Sequence, residues 1–295
     1  MITQATPNSD SNPNSNTLLT GPAAWLDSLF EMSKKELLIM LRYPVEFVAS
    51  FGQVFIIVTI LTLAGLMFSP GGVKNAGESS QTSGLVVYGF ILFMFLSDTL
   101  WTIGYNVRRE QKQGTLEQLY LSPASKFASL VSRVTITLVW TGLLSATSAW
   151  LMSAMIGRLP FANVPLGVFI LALSLSGTFG VGFAFAGLTL RVKEAGQTLA
   201  NFLQFAFMVI CAPFYPFFAL PDWAQPVARL IPLSYTVDAF RSTLMNYPPG
   251  FPELAPIGVE IVIVVLFGLL MPPLGYWFYR REEDSARRKG SLSEY

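Results

Sequence analysis

Three observations predict an all-α membrane protein with six transmembrane helices. Of 295 residues, 52% are hydrophobic and only 13% are charged, about half the roughly 25% charge of soluble proteins. Mean hydropathy is +0.51. The apolar residues gather in six runs, at about 47–68, 84–106, 130–156, 166–190, 198–220 and 256–279. Each is near the ~20 residues that cross a bilayer.

Six spans put both termini on one side, and basic residues decide which side. Fourteen of the nineteen Lys and Arg, from Lys34 to Lys289, fall on the side of the termini. Only Lys74, Arg158, Arg229 and Arg241 fall opposite. Basic loops stay in the cytoplasm. Both termini are therefore expected there, in a multi-pass protein of the cell membrane.

Residues 1–23 are rich in Asn, Ser, Thr and Pro, without the basic start and apolar core of a signal peptide. They read as a disordered cytoplasmic tail. Residues 24–281 form the transmembrane domain, and 282–295 a charged cytoplasmic tail. Leu26, Leu29, Phe30 and Leu37 make a helical stripe beside Lys34 and Lys35. That pattern predicts an N-terminal helix lying in the membrane interface. Arg42-Tyr43-Pro44 turns the chain into the first span, and the Gly- and Ser-rich loop 69–83 is a flexible outer connector.

Between spans two and three lies a polar island, Glu110 to Pro123, reading EQKQGTLEQLYLSP. Arg108, Arg109 and Lys112 at its start and Lys126 after its end hold it in the cytoplasm. Leu116 and Leu119 share one helical face, while Glu110, Gln113 and Glu117 occupy the others. Ser122-Pro123 ends the helix, because a residue before proline is pushed out of the α region. The result is a short amphipathic helix with nothing of its own chain to pack on. The inner loop 191–197, with Arg191 and Glu194, offers a second charged cytoplasmic contact.

Outer loop 157–165 is short and pinned by Pro160 and Pro165. The segment 213–254 is punctuated by prolines, with short helices expected over 223–230 and 233–245. Broken helical backbone at membrane depth needs shielding by protein. A re-entrant helical hairpin on the outer side is therefore expected between spans five and six. Phe214, Tyr215, Phe217, Phe218 and Trp223 cluster at the outer end of span five. They read equally as an interfacial belt or as an outer gate. Tyr276, Trp277 and Tyr279 end the last span as a belt, held by Arg280 and Arg281.

Two charges fall inside spans. Asp98 is roughly 12 Å from the inner end of span two, and Arg133 roughly 9 Å into span three. A lone charge at mid-membrane costs at least ~2.5 kcal/mol, so the two are expected to pair as a structural bridge rather than as a proton relay. Glu46 and Glu260 lie nearer membrane edges, where exposure is expected to account for them. Gly177, Gly180, Gly182 and Gly187, with Ser174 and Ser176, predict close helix packing along span four.

Histidine is absent and Cys211 is the single cysteine. A Ser-His triad, a His-ligated metal, a disulfide framework and a cysteine zinc cluster are thereby excluded, and no metal site is expected. No GxxxxGK[ST] phosphate loop is present. A net charge of +1 gives no sign of nucleic-acid binding.

The string E-x3-GTLE-x-L-x2-SP resembles the cytoplasmic coupling element of type-2 ATP-binding cassette (ABC) transporter permeases. LRYP, RVKEAGQTLANFLQ and IPLSYTVDAFRSTL are similar to family segments and stand in the expected order, so the resemblance covers about 25–281. It implies the transmembrane permease subunit of an ATP-driven exporter. Glu110, Gly114, Thr115, Leu116, Glu117, Leu119 and Pro123, with Arg191 and Glu194, would then dock an ABC ATPase subunit. ATP and magnesium would sit on that partner, leaving this chain with no cofactor and no catalytic residue. A second permease subunit is expected, most simply as a homodimer, along with contacts to membrane lipids. The cargo expected is an amphipathic drug, a lipid or a lipid-linked glycan. The alternative, a secondary transporter driven by an ion gradient, requires more intramembrane acids than Asp98 and Glu260. An intramembrane enzyme would need histidine or carboxylates paired at one depth.

Overall fold

The computed structural model describes residues 44–68, 84–100, 126–156, 159–192 and 196–288, with single positions 30, 34, 38, 42 and 102. Among them every regular element is helical. The helices are α1 (Pro44–Phe68), α2 (Gly84–Leu100), α3 (Lys126–Ile156) and α4 (Val164–Val192). After them come α5 (Gly196–Ile210), α6 (Ala224–Leu230), α7 (Pro232–Leu244) and α8 (Ile257–Arg288). By length and composition, Val164–Thr189 and Ile257–Ser285 can cross a membrane, and Gly84–Leu100, Leu138–Leu151 and Thr198–Ile210 are shorter apolar helical stretches. Of the expected interfacial helix, Phe30, Lys34 and Leu38 are described, each helical and exposed. The island 110–123 lies outside the described residues.

Helix α2 is buried along almost its whole length, so it needs no polar stripe. Leu85, Tyr88, Leu92, Leu96 and Leu100, three or four apart, form one side of the main core. They meet Ile170 and Phe185 of α4, Val237 and Phe240 of α7, and Val264 and Phe267 of α8. Val87 and Phe90, turned the other way, pack with Val54 of α1 and Ala149 of α3. One end of the bundle gathers the start of α2, residues 159–163 and the segment 211–256. There the Tyr88 hydroxyl donates to the Pro160 carbonyl, and the Ala162 N–H donates to the Leu244 carbonyl at 2.9 Å.

Helices α4 and α8 approach backbone to backbone, and glycine makes it possible. A Cβ on Gly180 would fall 2.2 Å from the Met271 carbonyl carbon, and one on Gly275 would fall 1.9 Å from the Gly180 oxygen. Only backbone fits at that crossing. Pro272 and Pro273 interrupt α8 at the same level. Pro272 has no N–H, so the Gly268 carbonyl loses its partner within the helix. The Ser176 hydroxyl of α4 donates to that carbonyl at 2.7 Å. The small residues of span four thus serve both contact and repair.

The fifth helix differs from expectation. A run over 198–220 was anticipated, but α5 ends at Ile210. Ala212 takes a left-handed backbone with φ 46°, and Pro213 has no N–H with which to continue a helix. The 15 residues of α5 reach about 22 Å, so a crossing of a ~30 Å hydrocarbon core would need the irregular chain after Ile210 to complete it. The chain then turns under α2, where a Cβ on Gly89 would fall 1.8 Å from the Pro213 oxygen.

The seam makes a graded prediction for thermal unfolding of the purified chain in detergent. Ser176→Ala should cost about 0.6 kcal/mol, the average for a hydrogen bond between membrane helices. Gly180→Leu should abolish cooperative unfolding, since the backbone of α8 cannot retreat without losing the whole contact. A Gly180→Leu chain that melts like the wild type would refute this account of the seam.

Candidate functional site

Helix α7 has two faces. Leu233, Val237, Phe240 and Leu244 form an apolar one, and Ser234, Asp238, Arg241 and Ser242 a polar one. A surface helix would bury the first and wet the second. Here every residue from Leu233 to Met245 is buried except Tyr235, which is half-buried. Pro232 opens the helix behind the extended Ile231, as the residue before proline prefers. The polar face must therefore find its partners within the protein.

Arg241, with no exposed surface, is the centre of that network. Its Nη1 donates to the carbonyls of Ala212 at 3.2 Å and Tyr215 at 3.1 Å. Its Nη2 donates to Glu253 Oε1 at 3.1 Å, and its Nε lies 3.5 Å from Asp238 Oδ1. The guanidinium is also sandwiched between the rings of Phe217 at 5.0 Å and Phe251 at 5.3 Å. A planar fork with five donors suits this geometry and an ammonium does not.

The carboxylates carry the network onward. Asp238 Oδ2 accepts the backbone N–H groups of Glu253 at 2.7 Å and Leu254 at 2.8 Å. Glu253 Oε2 accepts the Phe218 N–H at 3.1 Å. Burial pushes the Glu253 carboxyl above its ordinary value, against the pull of the Arg241 guanidinium and the Phe218 N–H. Glu260 Oε1 accepts the Ala255 N–H at 3.2 Å. Glu260 corrects an expectation: it is fully buried, not exposed at an edge, because the loop 251–255 folds back over the first turn of α8. The clamp thus joins three stretches distant in sequence: the broken end of α5, helix α7, and the entry to α8. Among the described residues, no group of three or more His, Cys, Asp or Glu is placed to hold a metal ion.

The five aromatic residues of the anticipated gate do not form one plug. Phe214 packs on Phe90 and Phe93 of α2, with ring centroids 5.9 and 5.4 Å away. Phe217 is buried beneath Arg241, and the Tyr215 hydroxyl donates to the Val209 carbonyl. Phe218 and Trp223 point outward, 77% and 70% exposed. Between the inner and outer groups lies a cleft of about 270 Å³, lined by Phe217, Phe218, Gln225, Arg229 and Glu253 among others.

Asp98 accepts a hydrogen bond from Thr141 of α3. Thr141 is eight residues along α3 from Arg133, about 12 Å by helical rise. The Arg133 side chain lies outside the described residues, as do Glu110, Gly114, Thr115, Leu116, Glu117, Leu119, Pro123 and Glu194. Arg191 falls in the last turn of α4, its side chain likewise outside them.

Sequence reasoning missed Asp238, Arg241 and Glu253. Arg241 was counted among outer loop cations, and a polar stripe normally signals a wet face. The available signal was the spacing of Asp238 and Arg241 on that stripe, between two proline-rich stretches that supply backbone rather than water.

Removing Arg241 would strand two carbonyls and the buried carboxylates. Arg241→Ala should destabilise by about 3–5 kcal/mol, as for other broken buried pairs. Arg241→Lys should recover only part of that loss. Melting of the detergent-purified variants measures both, and an Arg241→Lys chain as stable as the wild type would show that charge alone, not the fork, closes the clamp.

The chain matches no curated protein. A family model described as ABC-2 family transporter protein matches residues 69–271. That match takes in α2, the island, α3 to α7 and the apolar first half of α8. It covers more than half of the chain, and the described structure is helical with apolar helices long enough to cross a membrane. The chain belongs to the ABC-2 family of transporter proteins and is a membrane permease.

Proposed function

We propose that this chain is the transmembrane subunit of an ATP-driven exporter, with six spans and both termini in the cytoplasm of the cell. Permeases of this family work with ABC ATPase partners. Two copies of the chain would pair around a pathway, each docking one ATPase through the island 110–123 and the loop 191–197. The partner ATPase would hold ATP and magnesium. Closure of the ATPase dimer would then move the spans mechanically, with no bond made or broken by this chain.

The observation that carries the reading is the extent of the family match. It spans both the GTLE island and the charge-clamped hairpin, which the alternation of spans assigns to opposite faces of the membrane. A push at the island would reach the far face through α2 and α3, which flank it. There α2 touches the hairpin through Gly89 and Pro213 and through Tyr88, whose ring meets Phe240 at 6.3 Å. The cargo proposed is a hydrophobic drug or lipid-like molecule, with a lipid-linked glycan as the wider class. Exposed aromatic surface at Phe218 and Trp223 supports an exit that accommodates apolar bodies.

Two measurements test this reading. Replacing Gly114 to Glu117 with alanines should leave membrane insertion intact and abolish transport-coupled ATP turnover. Survival of both ATPase binding and transport in that variant would overturn the docking assignment. In the reconstituted complex, amphipathic compounds should stimulate ATP hydrolysis, and Phe218→Ala should alter which of them do so. Stimulation by an inorganic ion alone would overturn the cargo class.

A further inference from the structure

Helix α8 is 32 residues long, about 48 Å by helical rise. That exceeds a ~30 Å hydrocarbon core by several turns. Its outward stripe is apolar over most of that length: Val262, Leu266, Leu270, Leu274 and Trp277 are each half exposed or more. One turn beyond Trp277 the same face becomes basic. A groove of about 510 Å³ there is lined by Trp277, Arg280, Arg281, Asp284, Ser285 and Arg288. Three guanidiniums thus stand against one carboxylate. Of the neighbouring acids, Glu283 is buried and Glu282 half-buried. Aromatic rings brace the first two arginines: Arg280 lies 5.4 Å from the Tyr276 centroid and Arg281 5.7 Å from that of Trp277.

We propose that this groove is a binding site for the headgroup of an anionic phospholipid. The lipid's acyl chains would lie along the apolar stripe of α8. The inference rests on the reading of α8 as a membrane span ending in the cytoplasm. A guanidinium binds phosphate through two parallel hydrogen bonds, and stacking on an aromatic ring pre-orients it for that contact. The Ser285 hydroxyl adds a neutral donor at the groove wall. Apolar surface and cationic groove are continuous on one helix face. The matching ligand therefore carries acyl chains and a phosphate together, and the excess of positive charge selects a headgroup with net negative charge. Such lipids are abundant in cytoplasmic leaflets.

The test uses the full chain, purified and placed in nanodiscs of phosphatidylcholine alone or mixed with phosphatidylglycerol. Native mass spectrometry should find phosphatidylglycerol retained by the wild type, and its presence should raise the melting temperature. A chain with Arg280, Arg281 and Arg288 all changed to Gln should lose that retention by roughly tenfold or more. It should still insert and should melt like the wild type in phosphatidylcholine. Free glycerol phosphate should not stabilise the wild type; if it matches the lipid, the site is for a soluble phosphate and the proposal fails. Equal phosphatidylglycerol retention by both chains, with each resisting extraction by alkaline carbonate, overturns the lipid site alone. Release of the wild-type chain by carbonate overturns the span reading beneath it.

Discussion

A guanidinium shut away from water needs polar partners from the protein itself, and that constraint shapes one whole end of this molecule. Arg241 reaches back to the Ala212 and Tyr215 carbonyls in the irregular stretch after α5, and forward to Glu253 before α8. Neither stretch has regular structure of its own. Each is held in place by what it offers to the arginine. The left-handed turn at Ala212 and the loop at 251–255 therefore belong to one arrangement. Asp238 completes it by accepting two backbone N–H groups that no helix satisfies.

The seam between α4 and α8 obeys the same rule by different means. There an interruption in a helix, at Pro272, is repaired by a hydroxyl from its neighbour, and the approach is close because both helices present glycine. In each case a backbone group freed at a proline or a break is met by a side chain from another element. The two repairs lie at different levels of the molecule. One ties the irregular cap at 211–256, and the other ties α4 to α8. Together they make α4, α7 and α8 a connected unit, while α1 and α3 pack on each other and on the opposite side of α2.

Much of this was legible from residue order. The helical class followed from composition and from the length of the apolar runs. The short helices at 224–230 and 232–244 followed from the prolines around them. The small residues of span four announced a close contact, though not its partner. Hydropathy could not give the end of α5, because Cys211 to Leu220 remains apolar whether helical or not. The signal was Pro213, which cannot continue a helix, while the positive φ at Ala212 just before it had none. Glu260 misled for a related reason: proximity to a membrane edge predicts exposure. Its burial depends on a loop folding over it, which is a property of tertiary contacts. The gate aromatics illustrate the same limit, since five neighbours in sequence divide between core and surface.

The clamp also bears on how the chain enters the membrane as it is made. An arginine emerging into an apolar environment is a hazard until it is neutralised. Here the carbonyls of Ala212 and Tyr215 precede Arg241 in synthesis, Asp238 arrives three residues before it, and Glu253 follows twelve residues after. All its polar partners lie between residues 212 and 253, before α8 begins. The segment 211–256 can therefore close around its own arginine before the chain of α8 is made.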